Sequence, residues 1–305
     1  MVKLDAFNLL KEYSKDLKNV SYDNIINLLK HDIKKIPIPL AKVHIGEEID
    51  RIRPNGKTEL FTNISDLSYI KDKTIIDQSL TKFGRANLPY QVMFYGALRS
   101  TEIDRQRLTA IAETSQALRN NLDCLEGEHH TVSRWLVKSQ ISVVEMVFSE
   151  AALKSNPTIE TSLNNQLNFL STQIEDKNDL DFYRDFLIFI SEEFAKVATS
   201  EDDYKISAAY TNIVLSHPEV NGIFYPSVQT VYKGFNIALL PVAVDKHLTP
   251  TKFLTQILYK KGDKCFITNG LYYCDSFDQH NNLEWKKTPN KLLSDISEVN
   301  QKLGI

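Results

Sequence analysis

Nine arginines stand beside 27 lysines in this 305-residue chain, and seven of the nine, Arg51, Arg53, Arg85, Arg99, Arg105, Arg107 and Arg119, fall between positions 51 and 119. A guanidinium presents a rigid fork of donors that grips a phosphate or carboxylate at two points, so arginine enrichment in a lysine-dominated chain points to an anionic ligand near that stretch. The plain alternative is a set of unrelated surface ion pairs, which are common and contribute little. The run Glu126-Gly-Glu-His-His130 offers metal-ligand types. Adjacent histidines diverge on a regular element and no second ligand pair follows at a metal spacing, so it reads as a solvated loop without a metal. Motifs for Rossmann dinucleotide binding, for P-loop hydrolysis, for the hydrolase nucleophile elbow and for His-Glu-x-x-His zinc chemistry are all missing.

Composition narrows the class. With 42 % hydrophobic, 25 % charged and 10 % aromatic residues, the chain can bury a large core without disulfides or a structural metal. A formal charge of −3 supplies no broad positive field to gather phosphate backbones, so nucleic acid is not an expected partner. Asp5, Lys11 and Glu12 interrupt the apolar stretch that a signal peptide needs, and no later segment approaches a membrane span. Cys124, Cys265 and Cys274 form no Cys-x-x-Cys pair and are odd in number. Together these features lead us to expect a cytoplasmic protein with reduced thiols.

The elements that must position any site follow from periodicity. Leu4, Phe7, Leu10, Tyr13 and Leu17, then Ile25, Ile26, Leu28 and Leu29, predict two short amphipathic helices. Ile36-Pro-Ile-Pro39 ends them and sets a boundary near residue 40. Residues 41–100 are mixed and turn-rich, with Pro54-Asn-Gly56 as a turn and Gln91–Tyr95 as a strand. A helix is expected over 101–122, with Leu108, Ile111, Ala112, Leu118 and Leu122 as its apolar stripe and Gln106, Ala110, Glu113 and Ala117 opposite. Further on, strands are expected at 141–148, 221–228 and 235–244 and helices at 182–197 and 204–215. Lys264–Thr268 and Leu271–Asp275 flank Asn269-Gly270, a dipeptide suited to a hairpin turn. The expected class is α+β, with an N-terminal helical extension over 1–40, a central domain over 41–248 and a C-terminal extension carrying a β-hairpin over 249–305.

Several short pieces recur in a fixed order: Arg51-Ile-Arg53, Gly84-Arg-Ala-Asn-Leu-Pro89, Gln91-Val-Met-Phe-Tyr-Gly96, Ala112-Glu-Thr114, Gly222-Ile-Phe-Tyr-Pro-Ser227 and Gly234-Phe-Asn-Ile-Ala-Leu239. In that order, over about residues 45–245, the chain resembles the RES domain family, named for an arginine, a glutamate and a serine. The resemblance implies a core of twisted sheets like that of the ADP-ribosyltransferases. It also implies a toxin that binds NAD⁺ as substrate and cleaves its nicotinamide–ribose bond with no metal. Transfer of ADP-ribose to a specific target, and an inactive module kept for binding, are the alternatives. An Xre-type antitoxin is the implied protein partner, and the terminal extensions would serve it, a homodimer, or merely the covering of the core.

By the same resemblance Glu113 is the catalytic glutamate and Arg51 the family arginine, catalytic and pyrophosphate-holding, with Arg53 as its substitute. Tyr95, Arg85 and Asn87 fall in the motifs around the nucleotide, and Ser227 is the family serine. Each also has an ordinary reading: Glu113 on a solvated helix face, Arg51 in a surface ion pair, Tyr95 in the core, Ser227 in a turn. The chain departs from the family in having Phe83-Gly-Arg-Ala-Asn87 where Gly-Gly-Arg-Trp-Asn is common, and in the long span between Glu113 and Ser227.

Overall fold

The computed structural model describes residues 3–57 and 59–305. Helices α1 (Lys3–Ser14) and α2 (Tyr22–Asn27) open the chain, α2 running on through one π-helical turn to Ile33 before Pro37 and Pro39. Strands β1 (Leu40–Val43) and β2 (Glu48–Pro54), short helices α3 (Ile64–Leu67) and α4 (Lys73–Ser79), and β3 (Phe94–Leu98) follow. Helices α5 (Gln106–Thr114) and α6 (Gln116–Arg119) lead to β4 (Cys124–Val137) and β5 (Ile141–Glu145). A helical block comprises α7 (Glu150–Ser155), α8 (Pro157–Ser171), α9 (Lys177–Ala195) and α10 (Lys205–Val214). The chain then returns through β6 (Gly222–Pro226), β7 (Phe235–Leu239), α11 (Pro241–His247), β8 (Leu248–Lys261), β9 (Lys264–Cys274), β10 (Lys286–Lys287) and α12 (Ile296–Leu303).

The caps explain many of these starts. Side chains of Ser21, Asp72, Ser149, Asn156, Asp176 and Asp295 each accept a backbone N–H in the first turn of the helix that follows. Pro157 adds the residue whose missing N–H costs nothing at the first position of α8.

One mixed sheet orders the strands β1-β5-β6-β7-β3-β2-β4-β8-β9-β10, every neighbouring pair antiparallel except β5 with β6. The molecule is thus α+β, as its sequence leads one to expect. Its two halves join at β2 and β3 through a single register pair, Asp50↔Ala97, while β2 and β4 pair along all of Glu48–Pro54. Both halves feed one buried cluster that includes Phe94, Trp135, Ile237 and Phe253. The N-terminal helices and the helical block bury Phe7, Leu10, Phe186, Phe194 and Tyr210 against sheet residues Val144, Ile223 and Ala238. A third cluster sets α5 and α6 against Ile52, Ala97, Val132 and Leu258.

Several sequence expectations need correction. Asn269-Gly270 lies inside β9, opposite an irregularity at Thr255, where a Cβ on Gly270 would meet Thr255 Oγ1 at 2.3 Å. The hairpin turns instead at Gly262, which holds a φ of +55°. Glu126–His130 is part of β4 and not a loop. The helix expected over 101–122 is two helices broken at Ser115, and its expected stripe holds only in part: Ile111 is buried and Leu118 packs against the core, but Leu108 and Leu122 lie outside. Gln106, Ala110 and Ala117 are buried while Leu108 is 43 % exposed, because small residues allow the close approach to the sheet. Val242–Val244 belongs to α11, not to a strand, and β1, β2 and α8 occupy stretches with no regular element in the sequence reading.

Candidate active site

The cavity of interest opens where β2 and β3 part. Arg51 and Ile52 come from β2, Tyr95 and Gly96 from β3, Ala110, Glu113 and Thr114 from α5, Tyr225 from β6 and Asn236 from β7. Its volume is about 190 Å³. That is below the roughly 300–1,000 Å³ of a site that swallows a drug-sized ligand, and suits one end of a longer molecule. Residues 51, 95 and 113, far apart in the chain, are therefore neighbours in space.

Arg51 carries the clearest signal. Its Nη1 donates to the Tyr95 carbonyl oxygen at 2.7 Å, spanning the gap between the strands. The guanidinium carbon lies 5.2 Å from the centre of the Phe94 ring. Its Nε is buried and without any hydrogen-bond partner, and among the described residues no carboxylate pairs with it. Burial first, and then the charge of Arg53, pushes its pKa down to about 9. A buried donor left unmade costs free energy comparable to a lost hydrogen bond, so an acceptor delivered by a ligand would be favoured here.

Glu113 sits in the last turn of α5, and its Oε1 accepts from Asn236 Nδ2 at 2.9 Å. Asn236 is 6 % exposed and stands directly across from Tyr225 in the β6–β7 register. Among the described residues Arg51 and Glu113 are the only charged ones in the lining, and no ion pair joins them. Burial raises the phenol pKa of Tyr95, and raises that of Tyr225 well above its ordinary value, so both are neutral hydroxyls near pH 7. The Tyr95 hydroxyl donates to Asn87 Oδ1 at 2.5 Å.

Asn87 is held by a tight turn in which Gly84 N donates to Asn87 O at 3.0 Å. A Cβ on Gly84 would fall 2.2 Å from Asn87 Oδ1, so the motif Gly84-Arg-Ala-Asn87 needs glycine at its start. Asn87 thus acts from behind Tyr95 and does not line the cavity.

The remaining sequence candidates lie elsewhere. Arg85 donates through Nη1 to the carbonyls of Phe194 and Lys196 and packs 5.1 Å from the Tyr204 ring centre, tying the turn to the end of α9. Arg53 Nη2 donates to Ser68 O at 3.3 Å, and its pKa is lowered by burial. Ser227 is fully buried and caps the single 3₁₀ turn after β6, its Oγ accepting from Thr230 N at 3.3 Å. None of these three lines the cavity.

Sequence reasoning did not single out Tyr225 or Asn236, although a lone asparagine in the apolar run Phe235-Asn-Ile-Ala-Leu239 was a signal for the latter. Among the described residues no cluster of three or more His, Cys, Asp or Glu side chains is placed to hold a metal, and no helix is long and apolar enough to cross a membrane. Neither the models of known protein families nor the curated proteins include a match to this chain.

Proposed function

We propose that the cavity between β2 and β3 binds NAD⁺ and that the chain cleaves the bond between nicotinamide and ribose, as an RES-type toxin with an ADP-ribosyltransferase-like core would. One observation carries the reading: Arg51, Tyr95 and Glu113, each assigned from a separate motif, line the same cavity, with the arginine's Nε unpartnered and no carboxylate paired with it among the described residues. The residues fit the substrate in kind. A guanidinium with no carboxylate partner among the described residues suits the pyrophosphate, the Tyr95 ring suits a flat heteroaromatic, and the small volume suits the nicotinamide–ribose end with the adjoining phosphates.

The reaction breaks the C–N glycosidic bond. The bonding pair leaves with nicotinamide, which departs neutral, and positive charge develops on the ribose. Glu113 would lower the energy of that cation more than that of the ground state, which is the condition for accelerating the step. Asn236 holds the carboxylate from below, so its orientation is fixed before substrate arrives. Arg51 contacts the pyrophosphate in ground and transition states alike and so contributes binding. Water or phosphate then adds to the anomeric carbon and gives up its proton to solvent. Following nicotinamide release from NAD⁺, with and without added phosphate, tests the proposal; no release under either condition overturns it.

A further inference from the structure

Strands β6 and β7 border a second cavity on their other face. Phe224 and Phe235 alternate with Tyr225 and Asn236, so the two-residue period that turns the latter pair toward Glu113 turns the phenylalanines away. The two rings have centroids 4.7 Å apart and line a cavity of about 550 Å³. That volume lies within the roughly 300–1,000 Å³ of small-molecule sites.

Asn156 lines the same cavity at the N-terminus of the 15-residue helix α8. It is 2 % exposed. Its Oδ1 caps the helix by accepting from Thr158 N at 3.0 Å, while its Nδ2 is buried with no acceptor. An unsatisfied buried amide beside the positive end of a helix suits an acidic oxygen. The charged side chains around it leave that position open. Glu47 Oε1 accepts from His44 N at 3.2 Å, and Lys42 donates to Ser142 Oγ. Arg99 is only loosely paired with Asp104 at 3.7 Å, both side chains being largely exposed.

We propose that this cavity binds an aromatic anion of mononucleotide size. Its ring packs on Phe224 and Phe235, its phosphate takes the Asn156 amide and the positive end of α8, and Arg99 turns from Asp104 to the phosphate. The site is separate from the Arg51 cavity and stands whether or not NAD⁺ is cleaved there.

Calorimetric titration of the full chain with AMP, adenosine and inorganic phosphate tests it. Wild type and Arg51→Ala are expected to bind AMP alike, and adenosine and phosphate each more weakly than AMP. Asn156→Asp keeps the helix cap, since aspartate caps as well as asparagine, but replaces the donor by a negative charge. Its second oxygen is buried without a donor, so the variant should melt below wild type yet stay folded at 25 °C, and weaken AMP binding more than tenfold. Arg99→Gln should weaken it severalfold. The proposal is overturned if wild type does not bind AMP, if Asn156→Asp binds it as wild type does, if adenosine binds as tightly as AMP, or if Arg51→Ala abolishes binding, which would put AMP in the first cavity.

Discussion

Strand β2 has two edges that have been built differently. Toward β4 it is paired along its whole length, and the fully buried Asp50 receives Arg134 Nε at 2.8 Å and Nη2 at 2.9 Å. Glu48 accepts the third nitrogen of the same guanidinium at 2.9 Å. The hydrogen bonds that Asp50 accepts raise the Arg134 pKa. Toward β3 a single register pair holds, and the next residue, Arg51, has a carbonyl for its partner, an orphaned Nε and a pKa pushed down by burial. A guanidinium that only stabilised the fold would be matched as Arg134 is. One left unmatched at a cavity is where the ligand we propose would supply the missing acceptor.

The largest effect tests the closed edge. Arg134→Met strands the Asp50 carboxylate in the interior. Breaking a buried pair costs on the order of 3–5 kcal/mol, and the lower end applies because Arg134 is 33 % exposed. Urea denaturation midpoints measure the loss. Arg51→Met, by contrast, removes a charge with no carboxylate and should change stability by no more than about 1 kcal/mol, since the lost hydrogen bond and ring contact are offset by the desolvation avoided. Similar losses for the two variants would mean that Arg51 is as structural as Arg134, and the contrast between the edges would disappear.

Next in size is the division of labour inside the cavity. Glu113→Gln should remove about 1.5–3 kcal/mol of transition-state stabilisation, a roughly ten- to over a hundredfold loss of turnover, with NAD⁺ affinity little changed. Arg51→Ala should weaken NAD⁺ binding first and slow turnover second. Calorimetry beside single-turnover rates separates them, and the reverse pattern would exchange their roles.

These predictions rest on residues that were partly legible in the sequence. Arg51, Tyr95, Asn87 and Glu113 lie in short motifs, so their types and order pointed to the cavity and its support. Their surroundings did not. How α5 and α6 pack on the sheet was half hidden, because Ala110 of α5 and Ala117 of α6 share that contact with Ile111 and leave Leu108 outside, which hydrophobicity alone does not suggest. Tyr225 carried no signal of its own and Asn236 only that of a polar residue in an apolar run; the register sets them opposite each other beside Glu113. Arg85 and Ser227 sit in equally suggestive motifs, yet their hydrogen bonds go to a helix end and a turn. The helical block and the sheet order depend on contacts remote in sequence, beyond the reach of local periodicity, and Asn269-Gly270 shows a strong turn signal overruled by a strand partner.

The smallest predicted effect lies at the end of the closed edge. His130 pairs with Pro54, is 0 % exposed, and has neither ring nitrogen hydrogen-bonded. Burial lowers its pKa below the ordinary 6.5, with Glu128 acting the other way. As pH falls through about 6.5 the unfolded chain takes up that proton before the folded one does, so the folded state loses stability on acidification. Melting temperatures from pH 7.5 to 5.5 should fall more for wild type than for His130→Gln. Parallel curves would show that His130 titrates alike in both states.

The most direct test of the open edge is nicotinamide release in a single turnover, measured with saturating NAD⁺ for wild type and Glu113→Gln whose melting temperatures agree. The expected result is release by wild type and at least a tenfold slower release by the variant, with NAD⁺ bound in both. Equal rates for the two proteins, or NAD⁺ bound by neither, would contradict the assignment of the cavity between β2 and β3.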